Sequence, residues 1–187
     1  MRPVVYGFNV SLDGYVEDRD GGIDWSDPDP ELHAFWNEHE RESDLHLYGR
    51  RLWEVMSAFW PTAGDDPNAP PEVIEYARFW NAVPTVVFST TLESVSGNAR
   101  LVREGIAEEV ARLKAMPGKA MSLGGAGIAS TFMRLGLVDE YLVAVHPVLL
   151  GGGKRMFAEL PSQERLVLKA SRPFASGVAV LHYERER

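Results

Sequence analysis

The chain has 187 residues, 45% of them hydrophobic and 25% charged, and its formal net charge is −8. That length suits one domain over residues 1–187, large enough to bury a core without a covalent staple. Cysteine is absent, which removes disulfides, thiolate nucleophiles and Cys-ligated metal centres together. No apolar run approaches the roughly 20 residues that span a bilayer, and the acidic balance argues against a broad nucleic-acid footprint. The chain enters a strand pattern at Val4 without the features of a signal peptide. The expectation is a cytoplasmic protein that handles small molecules, with no nucleic-acid or membrane partner.

In chain order, Val4 to Val10 reads as a buried strand left through the turn Ser11 to Tyr15. A loop runs from Asp18 to Pro30. The pair Asp29-Pro30 then supplies an N-cap and a first helical residue, and Leu32, Phe35, Trp36 and His39 form an apolar helical stripe. Leu45 to Tyr48 is a short strand stopped by Gly49, with a helix from Arg50 or Arg51. Thr62 to Pro71 is a polar loop and Glu72 to Ala82 a helix. Strands follow at Thr85–Phe88 and Lys119–Leu123, with a helix from Gly105 to Met116 between them. The run Gly124-Gly125-Ala126-Gly127 opens a helix to Leu135, and the period is two at 139–146, 166–171 and 178–183. Such alternation followed by terminal strands is an α/β sheet with a mostly parallel body and an antiparallel edge.

Ligands on such sheets bind at the carboxyl ends of strands, and three of these ends stand out. The segment Gly125 to Ser130 resembles GxGxxG with Ser in the last place, a turn that lets backbone approach an anion, or simply a tight β–α turn. Arg50 and Arg51 put two cations at a helix start, where the dipole prefers anions; either an anionic ligand or plain solvation accounts for them. Ser89, Thr90 and Thr91 offer three hydroxyls, for phosphate oxygens or for turn chemistry. Together the three ends favour a dinucleotide bearing an additional phosphate. Other motifs fail. The run Gly151-Gly152-Gly153-Lys154 lacks the first Gly and the final Ser or Thr of a P-loop. The five histidines include no pair at i, i+4, so no zinc helix and no metal is expected.

The ordered set of motifs resembles the dihydrofolate reductase superfamily, on the branch that includes the reductase domain of the riboflavin-biosynthesis deaminase–reductase. The matching segments are Ser11 to Tyr15, Gly22 to Trp25, Leu47 to Glu54, Val87 to Thr91, Leu123 to Gly127, Leu137 to Glu140 and Pro147 to Phe157. This resemblance implies a dihydrofolate reductase-like three-layer α/β/α fold. It also implies an NADPH-dependent reductase of the 5-amino-6-(5-phosphoribosylamino)uracil type acting on a small heterocycle. Dihydrofolate reduction and a non-catalytic nucleotide-binding module are the alternatives. By the same resemblance Gly49, Arg50 and Arg51 hold phosphates, and Ser89, Thr90 and Thr91 receive the 2′-phosphate. Leu123, Gly124, Gly125, Ala126, Gly127 and Ile128 lie along the pyrophosphate and nicotinamide, with Asn9 and Val16 bordering the ring. Lys154 and Arg155 are either solvated cations or contacts to a substrate phosphate.

On the substrate side, Glu31 takes the place of the carboxylate that supports protonation in folate reductases. Asp13, Trp25, Phe35 and Trp53 would line the substrate pocket. Val143 stands where folate reductases keep a Thr bonded to that carboxylate, which argues against folate. A homodimer is expected from the long late strands and the apolar segment Pro147 to Leu150.

Overall fold

A computed structural model describes residues 1–157 and 159–186. Its strands are β1 (Val4–Ser11), β2 (Tyr15–Glu17), β3 (Ser43–Gly49), β4 (Thr85–Phe88), β5 (Ala99–Val102), β6 (Ala120–Gly124), β7 (Glu140–His146), β8 (Lys154–Arg155), β9 (Leu166–Pro173) and β10 (Ala179–Arg185). The helices are α1 (Pro30–Arg41), α2 (Arg50–Ala63), α3 (Pro71–Ala82), α4 (Ile106–Ala115) and α5 (Ala126–Arg134), with a single 3-10 turn at Asp24–Ser26. Eight strands form one sheet in the order β5-β4-β3-β6-β1-β7-β10-β9, and β2 pairs with β8 apart from it. All pairs from β5 to β7 are parallel, whereas β10 runs antiparallel to both β7 and β9. The expected parallel body with an antiparallel edge is therefore what the chain builds.

Register explains the layers. Val4 pairs with Met121 and Leu47 with both Leu123 and Val86. These residues share one sheet face with Tyr6 and pack under Val110 and Leu113 of α4 and Phe132 and Met133 of α5. The other face carries Val5, Leu142 and Ala144 under Leu32 of α1, and Tyr48 and Val87 under Trp53 of α2 and Trp80 of α3. Burying each such side chain contributes about 1.5–3 kcal/mol, so both faces must be covered and the sheet lies between two helical layers. Across the α1 side runs a polar row. His46 pairs with Thr85 on one side and Ser122 on the other, and all three are buried.

The Asp29 cap is confirmed: its carboxylate accepts from the Leu32 N–H at 2.8 Å. Several expectations needed correction. Helix α2 runs to Ala63 with Pro61 inside it, so the polar loop before Pro71 is shorter than the prolines suggested. The Asp18–Pro30 loop contains the 3-10 turn. Strands β2, β5 and β8 were not anticipated; β5 covers the edge of β4 as a third outward step from β1. At the opposite edge β9 is exposed along its length, including Leu166, Val167 and Leu168.

Candidate active site

The chain steps outward from β1 to β3, β4 and β5, then returns to insert β6 between β1 and β3. Strand order reverses there, and a crevice opens at the carboxyl ends of such strands. It has two limbs that share Phe8, Val16, Ile23 and Leu52.

The first limb, a cavity of about 440 Å³, lies between Gly49–Arg51, Gly125–Ile128 and the β2–β8 ribbon. Helices α2 and α5 begin here at Gly49 and Gly125, and neither has a side-chain cap. Their first N–H groups and positive dipole ends are thus available to an anion. Gly125 has φ +101°, and a Cβ on Gly124 would lie 2.3 Å from the Leu52 Cδ2. Gly125 lines this floor, while Gly124, packed against Leu52, lines the adjoining second limb. Arg50 and Arg51 both line the limb, with Lys154 opposite. Their balancing charge is internal. Arg51 lies 3.2 Å and Lys154 3.8 Å from the two oxygens of Glu17, and Arg50 lies 3.5 Å from Glu54. All are substantially exposed except Glu17 and Lys154, so these pairs are weak.

The second limb, about 250 Å³, is walled by Trp36, Tyr48, Met56, Trp60 and Tyr76 and floored by Gly7, Asn9, Leu123 and Gly124. Asn9 accepts from the Trp36 indole N–H at 3.0 Å. Helix α1 presents His33, Trp36, Asn37 and Glu40 to this limb, the i, i+3, i+4, i+7 face beside its apolar stripe. The Ser122 hydroxyl donates to Glu40 Oε1 at 3.0 Å, and His46 Nε2 lies 3.3 Å from Glu40 Oε2. Burial pushes the Glu40 carboxyl up, but His46, His39 and Ser122 outweigh it and hold it below the usual range. Burial raises the Tyr48 and Tyr76 phenols well above their ordinary value, so both stay neutral.

Asn9, Val16, Gly49, Arg50, Arg51 and Leu123 to Ile128 are thus brought together along one cleft. The other expected residues are not. Glu31 is half exposed, 3.1 Å from Arg172 on the outer surface, because it sits on the face of α1 turned from the cleft. Phe35 packs edge-on against Phe174, and Trp53 stacks on Trp80 in the core. Trp25 turns its ring onto His146, with centroids 5.6 Å apart, outside both limbs. Asp13 accepts from the Ser11 hydroxyl at 2.7 Å and from the Leu150 and Gly151 N–H groups at 3.1 and 2.7 Å. It fastens the turn after β1 to a later loop, and these bonds lower its pKa.

Ser89 follows Phe88, the partner of Gly49 across β3 and β4, so the hydroxyl run is one strand from the arginines. Ser89 Oγ accepts from the Thr91 and Leu92 N–H groups, capping its own turn, and Thr90 and Thr91 are exposed beyond the cleft lining. Val143 pairs with Phe8 and packs in the core on the α4 side. The β7 residues facing α1 are Leu142 and Ala144, which are also apolar. Arg155 lies over the Tyr15 ring, 5.1 Å from its centroid.

Asn37, Glu40, His46 and Ser122 were missed. The available signal was a histidine in the middle of an otherwise apolar buried strand. Among the described residues, no cluster of three or more His, Asp or Glu could hold a metal ion, and no helix is long and apolar enough to cross a membrane.

The sequence model of the RibD C-terminal domain matches residues 2–180. The Bacillus subtilis (strain 168) protein YyaP, itself uncharacterized, is 34% identical over 98% of this chain and 95% of its own length. Among solved structures, a putative riboflavin biosynthesis protein from Shewanella sp. PV-4 superposes with TM-score 0.79 at 24% identity, over 99% of both chains. Dihydrofolate reductase from Enterococcus faecalis, complexed with NADP(H), superposes with TM-score 0.66 at 14% identity, over 99% of this chain and 97% of that one. The fold is dihydrofolate reductase-like, and the chain belongs to the RibD C-terminal domain family.

Proposed function

We propose that the protein is an NADPH-dependent reductase that transfers hydride to a small heterocyclic acceptor. The reaction type is that of the 5-amino-6-(5-phosphoribosylamino)uracil reductases. The observation that carries this reading is a single cleft in which two uncapped helix N-termini meet over bare glycines and which continues into an aromatic pocket. The residues present fit the cofactor. A Cβ on Gly125, at the start of α5, would lie 3.7 Å from the Gly49 backbone nitrogen at the start of α2, and the first limb brings Arg50, Arg51 and Lys154 against one lining pair of carboxylates, Glu17 and Asp24.

When bound, NADPH supplies the hydride chemistry from its reduced nicotinamide. Arg50, Arg51 and the leading N–H groups of α2 and α5 hold phosphate oxygens. Thr90 and Thr91, exposed at the neighbouring strand end just beyond the cleft lining, would meet the 2′-phosphate that separates NADPH from NADH. Phe8, Val16, Ile23 and Leu52 lie where the limbs meet and exclude water from the transfer. Fixing the acceptor against the cofactor is the protein's main contribution, since orientation alone supplies several orders of magnitude in rate.

Folate reduction is the weaker reading, because β7 turns Leu142 and Ala144, rather than a hydroxyl, toward α1. The reductase assignment is tested by following NADPH absorbance with a panel of aminouracil and pteridine acceptors. Acceptor-dependent oxidation is expected. Tight NADPH binding with no oxidation on any acceptor would instead make the protein a nucleotide-binding module.

A further inference from the structure

The acceptor limb holds an unusual concentration of buried polar atoms without partners. They are His33 Nδ1, Asn37 Oδ1 and Glu40 Oε2, the last with only His46 Nε2 near it, at 3.3 Å behind the wall. Buried polar groups are almost always satisfied, so a cluster of orphans along one pocket wall marks a place where a ligand completes the bonding. Their chemistry is directional. The Asn37 amide nitrogen is already committed, donating to the Glu72 carbonyl at 2.9 Å and the Glu75 carboxylate at 3.0 Å. Its oxygen is therefore the atom left over, an acceptor one turn from the Glu40 carboxylate on the same face of α1.

Charge narrows the ligand further. Among the described residues lining this limb, Glu40 is the one carboxylate and no Lys or Arg joins it. Every cation of the cleft, Arg50, Arg51 and Lys154, lies on the cofactor limb. Glu40 is also held from behind. Ser122 donates to one oxygen, and His46, which is 0% exposed and stacked on Tyr48 with centroids 5.1 Å apart, faces the other. The cation-free wall repels a phosphate and offers acceptors to N–H groups. This differs from the phosphorylated substrate after which the related reductases are named.

We propose that Glu40, positioned by Ser122 and His46, anchors the acceptor through N–H donors and restricts the site to phosphate-free heterocycles. This inference rests on the reductase reading and adds the substrate class. Hydrogen bonds to an ionised carboxylate are about twice as strong as neutral ones, so Glu40 outweighs Asn37 in the pair.

The test is calorimetric titration of the NADPH-loaded protein with 5-amino-6-(5-phosphoribosylamino)uracil and with the same compound lacking its phosphate. The dephosphorylated compound is expected to bind at least about tenfold tighter, a difference of one decade in Kd. Glu40→Gln should weaken it about tenfold and reduce the preference, while NADPH affinity stays within about twofold. Ser122→Ala, which frees the carboxylate without removing it, should show a smaller loss of the same kind, and Glu40→Asp should restore part of the preference. Equal or tighter binding of the phosphorylated compound overturns the proposal. So does binding of neither compound, or a folded Glu40→Gln variant with unaltered acceptor affinity. Failure to load NADPH at all would be a failure of the reductase reading, seen before any acceptor is added.

Discussion

Glu31 and Glu40 lie nine positions apart on one helix, and their environments assign them different work. Glu31 faces Arg172 at the surface, both side chains about half exposed at 51% and 48%. Exposed pairs of this kind contribute about 0–1 kcal/mol. Glu31→Gln is accordingly expected to leave both turnover and the thermal midpoint nearly unchanged; a large loss of turnover would return a catalytic role to that residue. The resemblance pointed to Glu31 because it opens the first helix. A polar residue beside an apolar stripe reads as solvated in one dimension, and only α3 and the β3–β6 row close over Glu40. The polar flank of α1 was therefore invisible as a site, whereas His46 carried a signal in its own strand.

At the scale of elements, the turn from β6 into α5 was the most legible feature, because glycine there has a physical cause. Gly125 holds φ +101°, a conformation that costs a residue with a Cβ about 1–3 kcal/mol. Gly125→Ala should lower the thermal midpoint and weaken NADPH about tenfold, since the start of α5 must shift to relieve the strain. A variant with wild-type midpoint and affinity would show that this turn is not the pyrophosphate floor. The strands β2, β5 and β8 were illegible for the opposite reason. They are two to four residues long and take their identity from pairing partners rather than from alternation. Helix α2 overran its expected end because Pro61 falls where tertiary packing of Trp60 against Tyr76, centroids 4.3 Å apart, holds the last turn.

For the whole molecule, the alternation of strand and helix implied the parallel sheet, and the antiparallel edge followed from the period-two segments at the end. Which strands become neighbours did not follow, since inserting β6 between β1 and β3 is a long-range choice made by packing on both faces. That insertion creates the crevice and brings Gly49 and Gly125, far apart in sequence, to its rim. The central claim is that this crevice binds a phosphate-bearing dinucleotide. Calorimetric titration of the purified protein with NADPH and NADH, side by side, tests it most directly. The account predicts one NADPH per chain, bound at least about tenfold tighter than NADH, with that margin shrinking when Thr90 and Thr91 are both replaced by Ala and both affinities falling in Arg51→Ala. Absence of binding by either nucleotide would contradict it.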